Sequence, residues 1–299
     1  MNKPTHILAA LLLISGAGVA AAQARPATPI RVSLVGDRLA FATVADYRRV
    51  VDQPTEATRA QWARTLAAQR GFVSLAQRQP SPGRGGAGSR AGLVRDEYFA
   101  GILNPAGVVQ IGEWIIRVDA AAEKVYALAV ANAGEYRDLV AGNTRNAHVQ
   151  QFTTGDDVLE LLASRQHGGQ KSLFCNQSGI GGRHMSIPVG GMNAYADFDR
   201  YGIYFTLWAS MSPYGSSPFP NTFEFTGGIP ANQGYVYYHV RCGSTASYAT
   251  ATKGAWKLTY QRVQSYQGST NLNQVYFYYR LKDAQSAYLT PWLGFRVNK

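Results

Sequence analysis

Asp197 and Asp199 stand two apart in the run Ala194–Arg200, a spacing that puts both carboxylates on one face of a β-strand. Joined by His184 or His239, such a pair has the chemistry of a hydrolase. Glycoside hydrolysis uses two carboxyl groups roughly 5–10 Å apart, and carboxylates with imidazole also suit a divalent metal. The plainer reading carries more weight: a solvated strand face whose acids balance Arg183 and Arg200. No metal and no cofactor is therefore expected. There is no His-Glu-x-x-His, no Gly-x-Ser-x-Gly, no phosphate loop and no strand-borne Gly-x-Gly-x-x-Gly.

Cys175 and Cys242 make an even pair, read first as a disulfide in an oxidising compartment. Closing that loop stabilises a fold by about 4 kcal/mol in the chain-entropy picture. A Cys175 nucleophile served by His184 is the weaker reading, since a thiolate needs its base beside it. For binding, the candidates are Trp208, Tyr214 and Trp292. Trp208 lies opposite the Ile203–Phe205–Leu207 face, and the other two sit beside proline in expected loops. Exposed rings stack on sugar faces or on a partner's apolar patch, although ordinary packing is the commoner fate of each.

The compartment follows from the first residues. Lys3 precedes an uncharged run of small and apolar residues from Ile7 to Ala22, and Ala22-Gln23-Ala24 offers a small-x-small cleavage pattern. Residues 1–24 are thus expected to be a signal peptide, with export to the periplasm, the outer surface or the exterior. No later stretch is apolar enough to form a transmembrane helix. The 299 residues carry 29 Lys+Arg against 18 Asp+Glu, a net charge of +11. That balance favours polyanions such as acidic polysaccharide or lipopolysaccharide. Nucleic acid is not expected, because export and the lack of a recognised basic module argue against it.

Two kinds of pattern divide the mature chain near residue 170. Residues 25–170 mix strands and helices. A hairpin is expected over Ile30–Phe41 and a helix capped by Thr43 with Tyr47, Val50 and Val51 on one face. A helix through Trp62 and Leu66 ends at Gly71, and a short one spans Asp96–Phe99 before Asn104-Pro105. Val108–Val118 reads as one long strand returning through Val125–Leu128, and Thr154 is expected to cap a last helix. Pro80–Arg90 is Gly- and Pro-rich and reads as a flexible loop. From 171 to 299 nearly everything reads as strand. This part holds 14 of the 18 Tyr and only four acids. Its aromatic alternation over Tyr201–Met211, Tyr235–Cys242, Ala255–Val263 and Gln274–Leu281 predicts an antiparallel sandwich or jelly roll. About seven strands with polar residues on both faces are too few for an outer-membrane barrel. The fold class is α+β, an N-terminal α+β domain followed by an all-β antiparallel domain.

Several segments resemble an uncharacterised family of secreted proteins common in Bacteroidota. They are Leu39-Ala40-Phe41-Ala42-Thr43, Trp62, Gly71-Phe72-Val73-Ser74-Leu75, Asn104-Pro105-Ala106-Gly107 leading to Val109-Gln110-Ile111-Gly112-Glu113-Trp114, Lys124–Leu128, Leu173-Phe174-Cys175, Tyr201–Phe205 and Val240–Gly243. Pro105 and the Gly-rich loop depart from that pattern. The resemblance implies export and brings no activity with it. The leading expectation is a non-catalytic envelope or extracellular module that binds glycan or protein. The alternative is an envelope hydrolase using Asp197, Asp199 and His184 or His239. A third reading docks the first domain on a larger partner through the hairpin around Trp114.

Overall fold

The computed structural model describes residues 29–52, 54–78, 94–166, 184–189, 192–213, 222–227, 235–241, 244–249, 254–257, 261–271, 274–282 and 293–298. The expected signal peptide, the 80–90 loop, Cys175, Cys242, Tyr214 and Trp292 lie outside these residues. The chain is α+β, as its sequence implied. Among the described residues no helix is long and apolar enough to cross a membrane.

The first half builds one six-stranded mixed sheet. Strands β1 (Val32–Val35) and β2 (Arg38–Phe41) form the expected hairpin about Gly36-Asp37. The chain then leaves the sheet through α1 (Val44–Val51), α2 (Glu56–Ala67), α3 (Leu75–Arg78) and α4 (Glu97–Ala100). It returns as β3 (Val108–Ile111), parallel to β2. A parallel pair needs such a crossover, and the helices supply it. Strands β4 (Trp114–Asp119), β5 (Lys124–Ala129) and β6 (Gln150–Thr153) continue the sheet antiparallel, in the order β1 to β6. Between β5 and β6 the chain makes a 3-10 turn over Val130–Glu135 and then α5 (Tyr136–Ala141).

The single strand expected over Val108–Val118 is two strands. Gly112-Glu113 turns between Ile111 and Trp114, whose Cα positions pair directly. Apolar residues on both sides of Gly112-Glu113 hid this turn, because both strands have buried positions on either side. Thr43 does cap α1, its Oγ1 accepting from the Asp46 amide at 3.0 Å, and Asp96 caps α4 through Phe99 at 3.0 Å. The cap of α6 (Val158–Gln166) is Asp157 rather than Thr154. The Thr154 carbonyl is instead taken by the amide of Gly202. Helix α2 ends at Ala67, short of Gly71.

Asn104 explains why the Asn-Pro-Ala-Gly segment must be what it is. Its side chain is fully buried, accepts from the amides of Ala106 (3.0 Å) and Val108 (2.8 Å), and donates to Asp37 and to the Tyr136 hydroxyl. One amide thereby satisfies the turn into β3 and ties it to the β1–β2 turn.

Among the described residues the second half contributes ten strands in two antiparallel sheets, where about seven were expected. One has the order β14 (Gln261–Gly268), β9 (Phe205–Pro213), β8 (Met192–Arg200), β7 (His184–Val189). The other runs β12 (Ser244–Ala249), β11 (Tyr235–Arg241), β15 (Gln274–Lys282), β10 (Thr222–Gly227), β13 (Gly254–Lys257), with β16 (Leu293–Asn298) on the free edge of β15. The run expected as one strand over Ala255–Val263 is cut between the sheets: β13 belongs to one and β14 to the other. Alternation alone cannot show where a chain changes sheets.

The principal core reaches across both halves. Phe41, Tyr47, Trp62, Phe99, Ile116 and Leu162 pack in one cluster with Tyr201, Ile203 and Tyr204. Phe99 stacks on Tyr204 with ring centroids 4.5 Å apart, and Phe41 stacks on Trp62 at 5.6 Å. Gly202 makes the approach possible. Its φ is +75°, and a Cβ there would stand 2.7 Å from Val125 Cγ2 and 3.0 Å from Val158 Cγ2. Its amide donates to Thr154 O and its carbonyl accepts from Val158 N, both at 2.9 Å. Gly202→Ala should therefore lower stability by roughly 2–4 kcal/mol, from strained backbone and overpacking together. Denaturant unfolding checks this, and an unchanged midpoint would contradict the packing described.

Candidate functional site

The sequence candidates on β7, β8 and β9 are brought together by strand register. His184 pairs with Asp197, Asp197 with Trp208, and Trp208 with Gln264. These four therefore form one row across all four strands of the sheet, on one face. The adjacent row is Asp199, Thr206 and Gln267. Tyr195 and Arg262 flank Ser210 in the row on the other side. Apart from Pro188, every aliphatic residue of these strands, from Met185 and Ile187 to Met211 and Val263, takes the opposite face.

One end of the polar face is closed by the first half of the chain. Asp199 is 5% exposed and ion-paired with Arg95, which is itself largely buried. Thr206 is fully buried and donates from Oγ1 to Tyr266 O at 3.0 Å. Gln267 accepts from the Arg59 guanidinium and donates to Val51 O at 3.2 Å. Arg59 also lies over the Tyr98 ring, 4.6 Å from its centroid. Asp199 is thus no member of a solvated strand face. Its carboxylate is committed to a buried cation, which removes it from the two-carboxylate arrangement that hydrolysis would need. Trp208, one row further on, is only half-buried.

The loop after β14 fixes this end of the sheet. Asp52 accepts from the Ser269 amide at 2.6 Å, and Asn271 Nδ2 donates to Gly155 O at 2.6 Å. Asp157, at the start of α6, accepts from the Asn271 amide at 3.4 Å. Burial pushes the Asp157 carboxyl up to about 6; neighbouring Glu160 adds to this, while the amide bonds and Arg48 oppose it. Tyr201, whose hydroxyl accepts from the Arg95 amide at 2.9 Å, is held far above the ordinary phenol range by its complete burial.

His239 does not join the row. It lies on β11, in the other sheet, paired with Thr245 and Gln274. Among the described residues no group of three His, Cys, Asp or Glu is placed to hold a metal ion. Sequence reading missed Gln264, Tyr195 and Arg262 as companions of Trp208. Polar residues alternating with apolar ones along β8 and β14 were the available signal, but which strand lies beside which is not written in either strand alone. The hairpin around Trp114, the third sequence candidate for a docking surface, is formed by β3 and β4, and Trp114 packs partly buried against the main core.

Two measurements test this geometry. Asp199→Ala leaves Arg95 buried without its counter-charge and should cost about 3–5 kcal/mol, most of it regained in an Arg95→Met/Asp199→Leu double variant. Unchanged stability on removing Asp199 would return its carboxylate to the list of reactive candidates. Asp157, with a folded value raised from 3.8 to about 6, binds its proton more tightly folded than unfolded. Its contribution is full below pH 4 and is lost as the pH rises through 6. Asp157→Asn keeps a good helix cap and should stabilise the protein by about 1 kcal/mol at pH 8, the part-exposed carboxyl being discounted for solvent. The gain should vanish below pH 4; a difference that is the same at both pH values would contradict the assignment.

No protein-family model matches the chain, and no curated protein or solved structure does either.

Proposed function

We propose that the protein is an exported, non-catalytic binding module of the cell envelope or exterior, and that its ligand is a glycan held on the polar face of the β14-β9-β8-β7 sheet. The observation that carries this reading is the row Asp197–Trp208–Gln264, an indole in register between a carboxylate and an amide. A ring face receives the C–H face of a sugar, while acceptors and donors on either side meet its hydroxyls. Tyr195, at the register position diagonal to Trp208, adds a second aromatic residue to this proposed surface. The leader-like residues 1–24 support export, as does the resemblance to secreted Bacteroidota proteins. The hydrolase alternative loses support because Asp199 is occupied by Arg95.

The same reading includes the finer fold, an antiparallel sandwich or jelly roll over residues 171–299. Each of the two sheets separates polar from apolar residues by register, so each has one face that must be covered. Two such sheets in one stretch of chain cover each other at least cost. A Cys175–Cys242 disulfide belongs to this proposal as its covalent closure.

Trp208→Ala should weaken binding at least tenfold to whichever glycan stabilises the native protein, with unfolding and circular dichroism unchanged apart from the indole contribution. The measurement is calorimetric titration, preceded by thermal unfolding against neutral and charged glycans. At 100 times its dissociation constant a ligand adds about 2.7 kcal/mol. Undiminished affinity in the Trp208 variant, or no stabilisation by any glycan, would reject the site.

A further inference from the structure

The larger second-half sheet sorts its charges onto one face. By register, Lys257 on β13, Arg280 and Lys282 on β15, and Arg296 on β16 all occupy the same face, and Glu224 on β10 is the one acid of that face among the described strands. The reverse face holds no charged residue at any paired position of β10, β13, β15 and β16; it carries Phe223, Phe225, Trp256, Phe277, Leu281 and Phe295. An apolar face of that composition must be covered, which leaves the cationic face as the outward one. It also bears tyrosines: Tyr237 pairs with Tyr276, and Tyr276 with Arg296, so two phenols and a guanidinium lie in one cross-strand row.

The cationic positions are not a compact cluster. They descend from Arg296 on β16 through Arg280 and Lys282 to Lys257 on β13. At about 3.3 Å per residue and 4.8 Å per strand this diagonal is roughly 30 Å long. A single phosphate or sulfate needs convergent donors, whereas an extended line of spaced cations, with tyrosines gathered at its Arg296 end, suits a chain with repeated anionic groups. Sheet faces that combine stacking rings with spaced cations bind such chains by steering, by charge pairing and by ring contact.

We infer that this face is a second binding surface, distinct from the Trp208 row, for an acidic polysaccharide whose repeating carboxylates or sulfates meet Arg296, Arg280, Lys282 and Lys257. The inference stands beside the glycan reading of the other sheet and does not depend on it. The charge segregation accounts for where much of the excess basic charge of this half of the chain is placed.

The test titrates the secreted protein with four probes: polygalacturonate, dextran sulfate, uncharged dextran, and single-stranded DNA. The native protein should bind at least one of the two acidic polysaccharides and not dextran, with affinity falling as salt is raised. Arg280→Gln/Lys282→Gln/Arg296→Gln should reduce that affinity at least tenfold, while Arg64→Gln and Arg137→Gln, exposed arginines of the first half, should not. Which of the two polymers binds more tightly separates a carboxylate from a sulfate ligand. Single variants at each of the three positions, compared for the same loss, guard against misfolding of the triple variant. Equal binding of dextran and dextran sulfate would overturn the inference, as would an unchanged affinity in a folded triple variant. DNA bound more tightly than both polysaccharides would overturn it as well and assign the face to nucleic acid. Loss on Trp208→Ala alone would overturn this inference while leaving the first site standing.

Discussion

Sinking Tyr201–Phe205 into a core built by the first half of the chain obliges every polar group of that segment to find a partner there. Backbone amides and carbonyls deprived of water and left unpaired cost more than their hydrogen bonds return. The segment meets this constraint with Gly202 bonded to Thr154 and Val158, the Ile203 carbonyl bonded to the Tyr47 hydroxyl at 2.9 Å, and the Tyr204 hydroxyl bonded to Asp96 at 2.8 Å. Those bonds fix where β8 and β9 emerge. From that fixed end the polar face of the four-stranded sheet continues, first as the buried Asp199–Thr206–Gln267 row and then as the row that holds the half-buried Trp208.

The two ends of this face answer different physical demands. Close to the core, charge is tolerated only with compensation, so Asp199 has Arg95 and Gln267 has both Arg59 and a backbone carbonyl. A committed, desolvated ion pair makes a good hinge pin and a poor catalyst, because neither partner is available to a substrate. One row further out, the half-buried Trp208 stands in register between Asp197 and Gln264. What becomes of Asp199 is thus set by its cover from the first half of the chain, which its spacing along the strand does not reveal.

Local features were legible in the residues themselves. Thr43 caps its helix because a cap needs only its own side chain and an amide two or three residues on. The Gly36-Asp37 turn was legible for the same reason. Three readings failed where the deciding contact is distant. Val108–Val118 ran on through Gly112 because both flanking strands are apolar. Thr154 resembled a cap but gives its carbonyl to Gly202, and Asp157 takes its place. Ala255–Val263 kept its alternation while its two ends joined different sheets.

Sequence by itself determined the α+β mixture, the change of character near residue 170, the polar and apolar faces of individual strands, and the basic balance of the chain. Each depends on periodicity or composition, which neighbours along the chain express directly. Only the tertiary structure decided that His184, Asp197, Trp208 and Gln264 share a row, that His239 belongs elsewhere, and that Asp199 is closed off by Arg95. Register between strands is chosen by contacts far apart in sequence, with a one-residue slip exchanging the faces. No single strand contains that information, so a site made of one residue from each of four strands exists only once they are paired.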